Sequence, residues 1–259
     1  FFVLRRLFGF FKDAFTSSMD YVESYHYFEV AYDKIGEESK NQFAQYGYES
    51  AEAYADSFSK RALELNEKMS GFRINESGYA QSTGEKSLGL DSDMLLQYQA
   101  QFAQMADSIG MTGEAASATS KALTMLAADW SSLRNIDLET SYQKMTSALA
   151  GQSRAVRTLG IDITQAALAE TAANIGMTTS ISKMGQVEKA ELRMITMLQQ
   201  SRVAWGDMAK TLNTPANQLR MLAQNFKALA RTIGNLFLPV IARVLPYING
   251  LVIALQRLF

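Results

Sequence analysis

The placement of proline is the feature that most limits what this chain can fold into. The 259 residues include three prolines, and the first of them is Pro215. The long stretch before it is rich in Ala, Leu, Met, Gln, Glu and Lys, which lose little free energy on entering a helix. We therefore predict an all-α fold, a multi-helix array of short and medium helices that ends in a heptad-patterned C-terminal helix.

Glycines and capping residues mark where the predicted helices begin and end. Gly47 and Gly110 each close a helical stretch, and Asp91 or Ser92 is suited to cap the helix that runs to Ile109. Residues 71–89 have no sustained period and are predicted as a loop that contacts a partner or a neighbouring subunit, because long loops are uncommon in compact domains. The alternation at Phe72 is compatible with a short strand.

These signals divide the chain into four parts. The predicted parts are acidic, aromatic-rich helices at 1–70, a loop excursion at 71–90, a helical core at 91–212, and basic, heptad-patterned and apolar C-terminal helices at 213–259. Neither end of the sequence has the features of a natural terminus, so we expect the chain to be part of a longer protein.

Composition excludes several kinds of chemistry. The chain has no cysteine and one histidine, His26, which excludes disulfides, cysteine nucleophiles and any serine triad that does not use this histidine. We interpret His26 as a packing residue beside an aromatic stripe that is predicted to lie in the core; the stripe consists of Tyr21, Tyr25, Phe28 and Tyr32. The carboxylates lie on helical faces without paired, desolvated surroundings. We predict no enzyme, no cofactor and no metal site.

Charge is distributed unevenly although the formal net charge is −1. Between Asp13 and Asp56 the chain has ten acidic residues and two lysines. Residues 202–259 have seven basic residues and one acidic residue, Asp207. The basic end is compatible with an anionic membrane surface or nucleic acid. It is equally compatible with a solvated face that is balanced by the acidic end of a neighbouring subunit. Aromatic and basic residues are not interleaved, so we predict no sequence-specific nucleic-acid binding.

The strongest periodic signal follows Thr214, which is suited to cap a helix that has Pro215 as its first residue. Apolar residues then recur at alternating spacings of three and four, which is the pattern of a coiled-coil seam. The predicted seam consists of Leu219, Leu222, Phe226, Leu229, Ile233, Leu236 and Val240. The seam either packs on its own domain or bundles around a symmetry axis.

Residues 236–259 approach membrane-spanning length, about 20 apolar residues. Pro239, Arg243, Pro246 and Asn249 interrupt the apolar run. We therefore favour a subunit-contact or interfacial helix over a true membrane span.

Two polar residues stand in otherwise apolar surroundings near the middle of the chain. Asp129 adjoins an apolar stripe and needs a hydrogen-bonding or charged partner if it is buried. The candidate partners are Arg134, Arg154 and Arg157, and an ion pair is favoured over an acid catalyst. We interpret Asp129 and Asn135 as structural polar anchors.

An ordered series of motifs resembles the core region of phage tail tape measure proteins from siphophages and related prophages. In chain order the motifs are DYVES at 20–24, FEV at 28–30, LAAD at 126–129 with Ser132 and Asn135, SALAG at 147–151, RTLGIDI at 157–163, KAELR at 189–193, WGDMAKT at 205–211, TPANQLR at 214–220, IG at 233–234 and LP at 238–239. The chain departs from the family pattern at Trp130, where a leucine-like residue is common, and at Gln152, where glutamate is common.

The resemblance implies a structural protein of the virion. Such a protein runs along the tail lumen or lies at the tail tip, sets tail length, and assists DNA ejection across the host envelope. Its implied partners are further copies of itself, with a trimer favoured over a hexamer, the tail tube, the tail-tip or baseplate hub proteins, and the host membrane during ejection. Two alternatives are a membrane-active helical protein that forms a pore or inserts and, with less support, a segment associated with a cell-wall hydrolase.

Overall fold

The computed structural model describes residues 2–75, 80–85 and 87–257, and within them it confirms the all-α class. The α-helices are α1 (Phe2–Ser39), α2 (Ala51–Ser70), α3 (Ser92–Ile109), α4 (Gly113–Arg134), α5 (Leu138–Leu149), α6 (Ser153–Arg157), α7 (Gln165–Asn174), α8 (Gln186–Gln200), α9 (Asp207–Lys210) and α10 (Pro215–Gln256). Short 3-10 helices span Lys40–Tyr46 and Ile181–Lys183. Residues 76–79 and 86 of the predicted loop, and residues 1, 258 and 259, lie outside the described residues.

Local chemistry explains several of the helix boundaries. Asp91 caps α3 by accepting a hydrogen bond from the Asp93 amide at 3.1 Å, and Gly110 ends the same helix in the left-handed conformation with φ of 98°. Gly47 ends the first 3-10 helix in the same way. These boundaries confirm the capping and termination that the sequence predicts.

The core is built on α1, α3 and α4, which pack against one another. Tyr21, Phe28 and Tyr32 of the predicted aromatic stripe are buried on α1, and Tyr25 is half-buried, so the four rings do share the inward face. The packing role predicted for His26 is wrong, because this residue is exposed. Its position between half-buried neighbours directs it outward on the helix.

The predicted loop contains an antiparallel two-stranded ladder. Strand β1 (Phe72–Ile74) pairs with β2 (Ala80–Ser82), and Phe72 lies opposite Ser82. This pairing confirms the short strand that the alternation suggests. The ladder packs on α2 and reaches α10 through β2, so the excursion is tied to the body of the same chain.

The C-terminal part differs from the prediction, because it forms one helix of 42 residues instead of several. The described residues therefore form two long α-helices, which are α10 and the 38-residue α1, and eight shorter ones. Pro239 and Pro246 lie inside α10 and do not end it. Both prolines are exposed, and each removes one backbone hydrogen bond of the helix, at the carbonyl groups of Asn235 and Ala242.

Helix α10 runs antiparallel to α1 and touches it closely at Gly234. Ala14 and Phe15 lie beside Gly234 and Ile241, whereas Ser18 lies further along α1 and donates to the Arg231 carbonyl oxygen at 2.7 Å. A Cβ atom at Gly234 would lie 2.2 Å from both the Ala14 carbonyl oxygen and Ser18 Oγ. The absence of a side chain at Gly234 therefore sets how near the two long helices come.

This close approach predicts opposite effects for two helical glycines. We expect Gly234→Ala to lower the free energy of unfolding by about 1–3 kcal/mol, because overpacking forces the helices apart. The matched control Gly250→Ala meets nothing within 4 Å and should stabilise α10 by up to about 1 kcal/mol through helix propensity. Urea denaturation followed by circular dichroism measures both, and a neutral or stabilising Gly234→Ala would contradict this packing.

Candidate functional site

The predicted seam lies on the exposed side of α10. Leu219 is 67% exposed, Phe226 63% and Leu236 72%, and of the seven seam residues only Ile233 is half-buried. Large apolar side chains in a continuous row are unusual on a free protein surface and indicate an interaction site.

The seam and the packed face occupy opposite sides of the helix. The buried residues of α10 are Asn217, Ala228, Arg231 and Gly234. At about 100° per residue, the seam residues lie between about 140° and 240° around the helix from Arg231. In the described residues, therefore, the seam does not form the packed face of α10, which is one of the two predicted alternatives. A partner can reach the seam while α10 stays attached to its own chain.

A groove runs along one edge of the seam. Leu229 and Leu236 form one wall with Asn225, and Phe72 and Gln81 of the ladder face them across a volume of about 660 Å³. The ladder thus supports one flank of the seam.

Asp129 anchors the segment that leads into α10. Its carboxylate accepts hydrogen bonds from the backbone amides of Gly206 at 2.8 Å and Met208 at 3.2 Å. Burial raises the pKa of Asp129 above its ordinary value, and the two amide hydrogen bonds oppose that effect. The carboxylate therefore holds a tight turn at Gly206, where φ is 70°.

The predicted ion pair of Asp129 is wrong. No arginine lies within ion-pair distance of it in the parts of the chain that the structure describes. Arg134 instead lies over the Trp130 ring at 5.5 Å and donates to the Leu159 carbonyl oxygen at 3.1 Å. Backbone amides satisfy the carboxylate without a second charge, which sequence alone does not reveal.

Asn135 serves as an anchor in two ways. It ends α4 in the left-handed conformation with φ of 51°, which asparagine tolerates better than most residues. Its side-chain oxygen accepts a hydrogen bond from Arg220 Nη2 at 2.9 Å. The end of α4 is thereby joined to the first turns of α10.

Sequence reasoning assigned no contact to the residues that complete this connection. Ser132 lies between the two anchors on α4, and its hydroxyl is 2.7 Å from Thr211 Oγ1. Asn217 Nδ2 donates to Thr211 Oγ1 at 2.9 Å. The signal available in the sequence is the spacing of three between Asp129, Ser132 and Asn135, which places polar groups along one side of a helix. We name these three residues the α4 polar row.

Within residues 2–75, 80–85 and 87–257, no group of three or more His, Cys, Asp or Glu residues is placed to hold a metal. By length and composition, α10 could cross a membrane: an 18-residue window within it has a mean hydropathy of 1.8, and no part of that window is buried.

Comparison of the chain with protein-family models, curated proteins and solved structures finds no match.

The role of Asp129 predicts a measurable loss of stability. Asp129→Ala leaves the Gly206 and Met208 amides without their acceptor and should lower the free energy of unfolding by about 1–3 kcal/mol. Asp162→Ala is the control, because Asp162 accepts from the Thr164 amide at 2.9 Å but is exposed, so water can replace it. Equal losses in urea denaturation for the two variants would show that Asp129 is not an anchor.

Proposed function

We propose that this chain is an ordered helical segment of a phage tail tape measure protein, with a structural role in the virion. In this role the protein sets tail length, lies in the tail lumen or at the tail tip, and assists DNA ejection across the host envelope. The partners we propose are further copies of the same chain, with a trimer favoured over a hexamer, together with tail tube and tail-tip or baseplate hub proteins.

The observation that carries this proposal is the uncovered seam of α10. Seven apolar positions at coiled-coil spacing lie on the side of α10 opposite its buried residues, and Leu222 and Leu229 are 51% and 53% exposed. The same spacing on a second copy offers complementary knobs and holes. Self-association through this seam suits a protein that lies along the axis of a tail.

A second observation supports the resemblance on which the function rests. Motifs that are far apart in the sequence contact one another in the fold: Asp129 holds the amides of Gly206 and Met208, and Asn135 accepts from Arg220. These residues belong to three of the motifs that resemble the tape measure family. Through these contacts the three motifs together orient α10.

The seam proposal predicts that self-association depends on α10. The chain should elute as an oligomer in size-exclusion chromatography with light scattering, and Leu222→Glu combined with Leu229→Glu should make it monomeric. Helix content should stay nearly unchanged, because both leucines are more than half exposed. Val203→Glu is the control, since Val203 is apolar and 69% exposed but lies outside α10. A monomeric wild-type chain, or equal dissociation by the control, would refute the seam.

The tail-length role has its own test. Deleting helical residues from the extended parts of the full-length protein should shorten assembled tails by about 1.5 Å per residue. Tail lengths are measured on electron micrographs of purified virions. Tails of unchanged length would contradict the proposed role in setting length while leaving the seam result untouched.

Membrane activity is the second candidate function, because α10 continues through both of its prolines as one long apolar helix. All its residues after Ile241 are exposed. If this end inserts, the chain should release dye from anionic liposomes, and Leu251→Lys should abolish the release because a charge is costly in the bilayer core. Val203→Lys should leave the release unchanged. Absence of leakage, or equal leakage by Leu251→Lys, would exclude insertion.

A further inference from the structure

The attachment of α10 to its own chain differs from ordinary core packing. Four of its 42 residues are buried, and Ala228 alone among them is apolar with a side chain. None of its leucine, isoleucine, valine or phenylalanine side chains is buried. Apolar burial at this contact is therefore partial on the α10 side, where Ile233, Leu238 and Ile241 are half-buried, while Ala14 of α1 is buried.

A buried ion pair lies at the centre of the contact between α10 and the rest of the chain. Arg231 is 2% exposed, and its Nη2 lies 3.0 Å from Asp91 Oδ1 at the start of α3. Lys227 pairs with the other Asp91 oxygen, and the Arg231 guanidinium lies over the Tyr21 ring at 4.8 Å. Burial alone would raise the pKa of Asp91, but Arg231 and Lys227 hold it below its ordinary value. We name this group of four residues the Arg231 clamp.

The clamp contributes less stability than its geometry suggests. Removing two charges from water offsets much of their attraction, so a buried pair adds little net stability while it is intact. Arg231 Nε is also buried without a hydrogen-bond partner in the described structure, which adds an unfavourable term. When α10 lifts away from α1, these groups regain water.

The base of α10 is held by separate contacts. Asn217 and Arg220 bond to Thr211 and Asn135, some distance along the helix from the clamp. These bonds involve the ends of α9 and α4 rather than α1 or α3. Separation of α10 from α1 therefore leaves its first turns attached.

We propose that α10 is a releasable arm, which swings off α1 as a unit about its anchored first turns and is latched by the Arg231 clamp. The docked arm lies along α1, and the released arm exposes both its clamp face and the α1 surface around Ser18. This inference concerns a single copy of the chain and does not depend on the proposed function.

The absence of cysteine in the chain allows a direct test with one introduced thiol. Ser18 is fully buried beneath α10, whereas Ser141 is fully buried in α5 and its hydroxyl has no hydrogen-bond partner in the described structure. A thiol at position 18 becomes accessible when α10 lifts, but a thiol at position 141 becomes accessible only when the body opens. We expect Ser18→Cys to react with a thiol reagent at least about 10-fold faster than Ser141→Cys.

A clamp variant then tests the latch. Arg231→Met keeps a long side chain but leaves Asp91 buried without its main partner. Combined with Ser18→Cys, it should speed thiol labelling by about 100-fold, since losing one partner of a buried pair is strongly unfavourable. Combined with Ser141→Cys, it should leave the labelling rate nearly unchanged. Arg243→Met is the matched control, because Arg243 is an exposed arginine on the same helix.

The outcomes separate release from unfolding. Equal labelling rates for the two thiols in the otherwise wild-type chain would overturn the proposal, because α10 would then leave only with the whole fold. Equal acceleration of both thiols by Arg231→Met would overturn the latch, because the clamp would then support the body as a whole. The comparison of the two thiols remains informative even if Arg231→Met does not fold.

Discussion

The ion pair between Arg231 and Asp91 decides which face of α10 turns toward its own chain. An arginine in the middle of an apolar helix is expected to lie in water, yet here it is buried between α1 and α3. Because the seam lies on the opposite side of the helix, the large apolar residues point outward while Arg231 is buried. The exposure of Leu219 and Leu236 thus accompanies a polar contact on the packed face.

The α4 polar row supplies the second constraint on α10. Asp129 holds the turn at Gly206, Ser132 contacts Thr211, and Asn135 holds Arg220. Each is a specific directional bond to the segment that precedes or begins α10. The row fixes where the helix starts, and the contacts of Gly234 and Arg231 with α1 fix how it lies, so two separated attachments orient one long arm.

Sequence reasoning predicts the features that depend on local chemistry. Helix-forming composition predicts the all-α class, Asp91 and Gly110 predict the boundaries of α3, and the 3-4 spacing predicts an amphipathic α10. It fails where distant contacts decide the outcome. Asp129 and its two amide donors, Gly206 and Met208, are separated by more than 70 residues in the sequence. Nothing in the local sequence indicates whether its partner is a backbone amide or an arginine. Pro239 lies inside α10 and is exposed, and the local sequence does not reveal that the helix continues through it.

The central claim is that α10 docks through its Arg231 face and leaves its seam free for a second copy. Single cysteines placed at each position from 219 to 240 can be tested for thiol reactivity in the assembled chain and in the dilute monomer. The account predicts that position 228 reacts much more slowly than the seam positions in the monomer, whereas positions 222, 229 and 236 are reactive in the monomer and protected in the assembly. Seam positions that are equally reactive in both states, or already protected in the monomer, would contradict it.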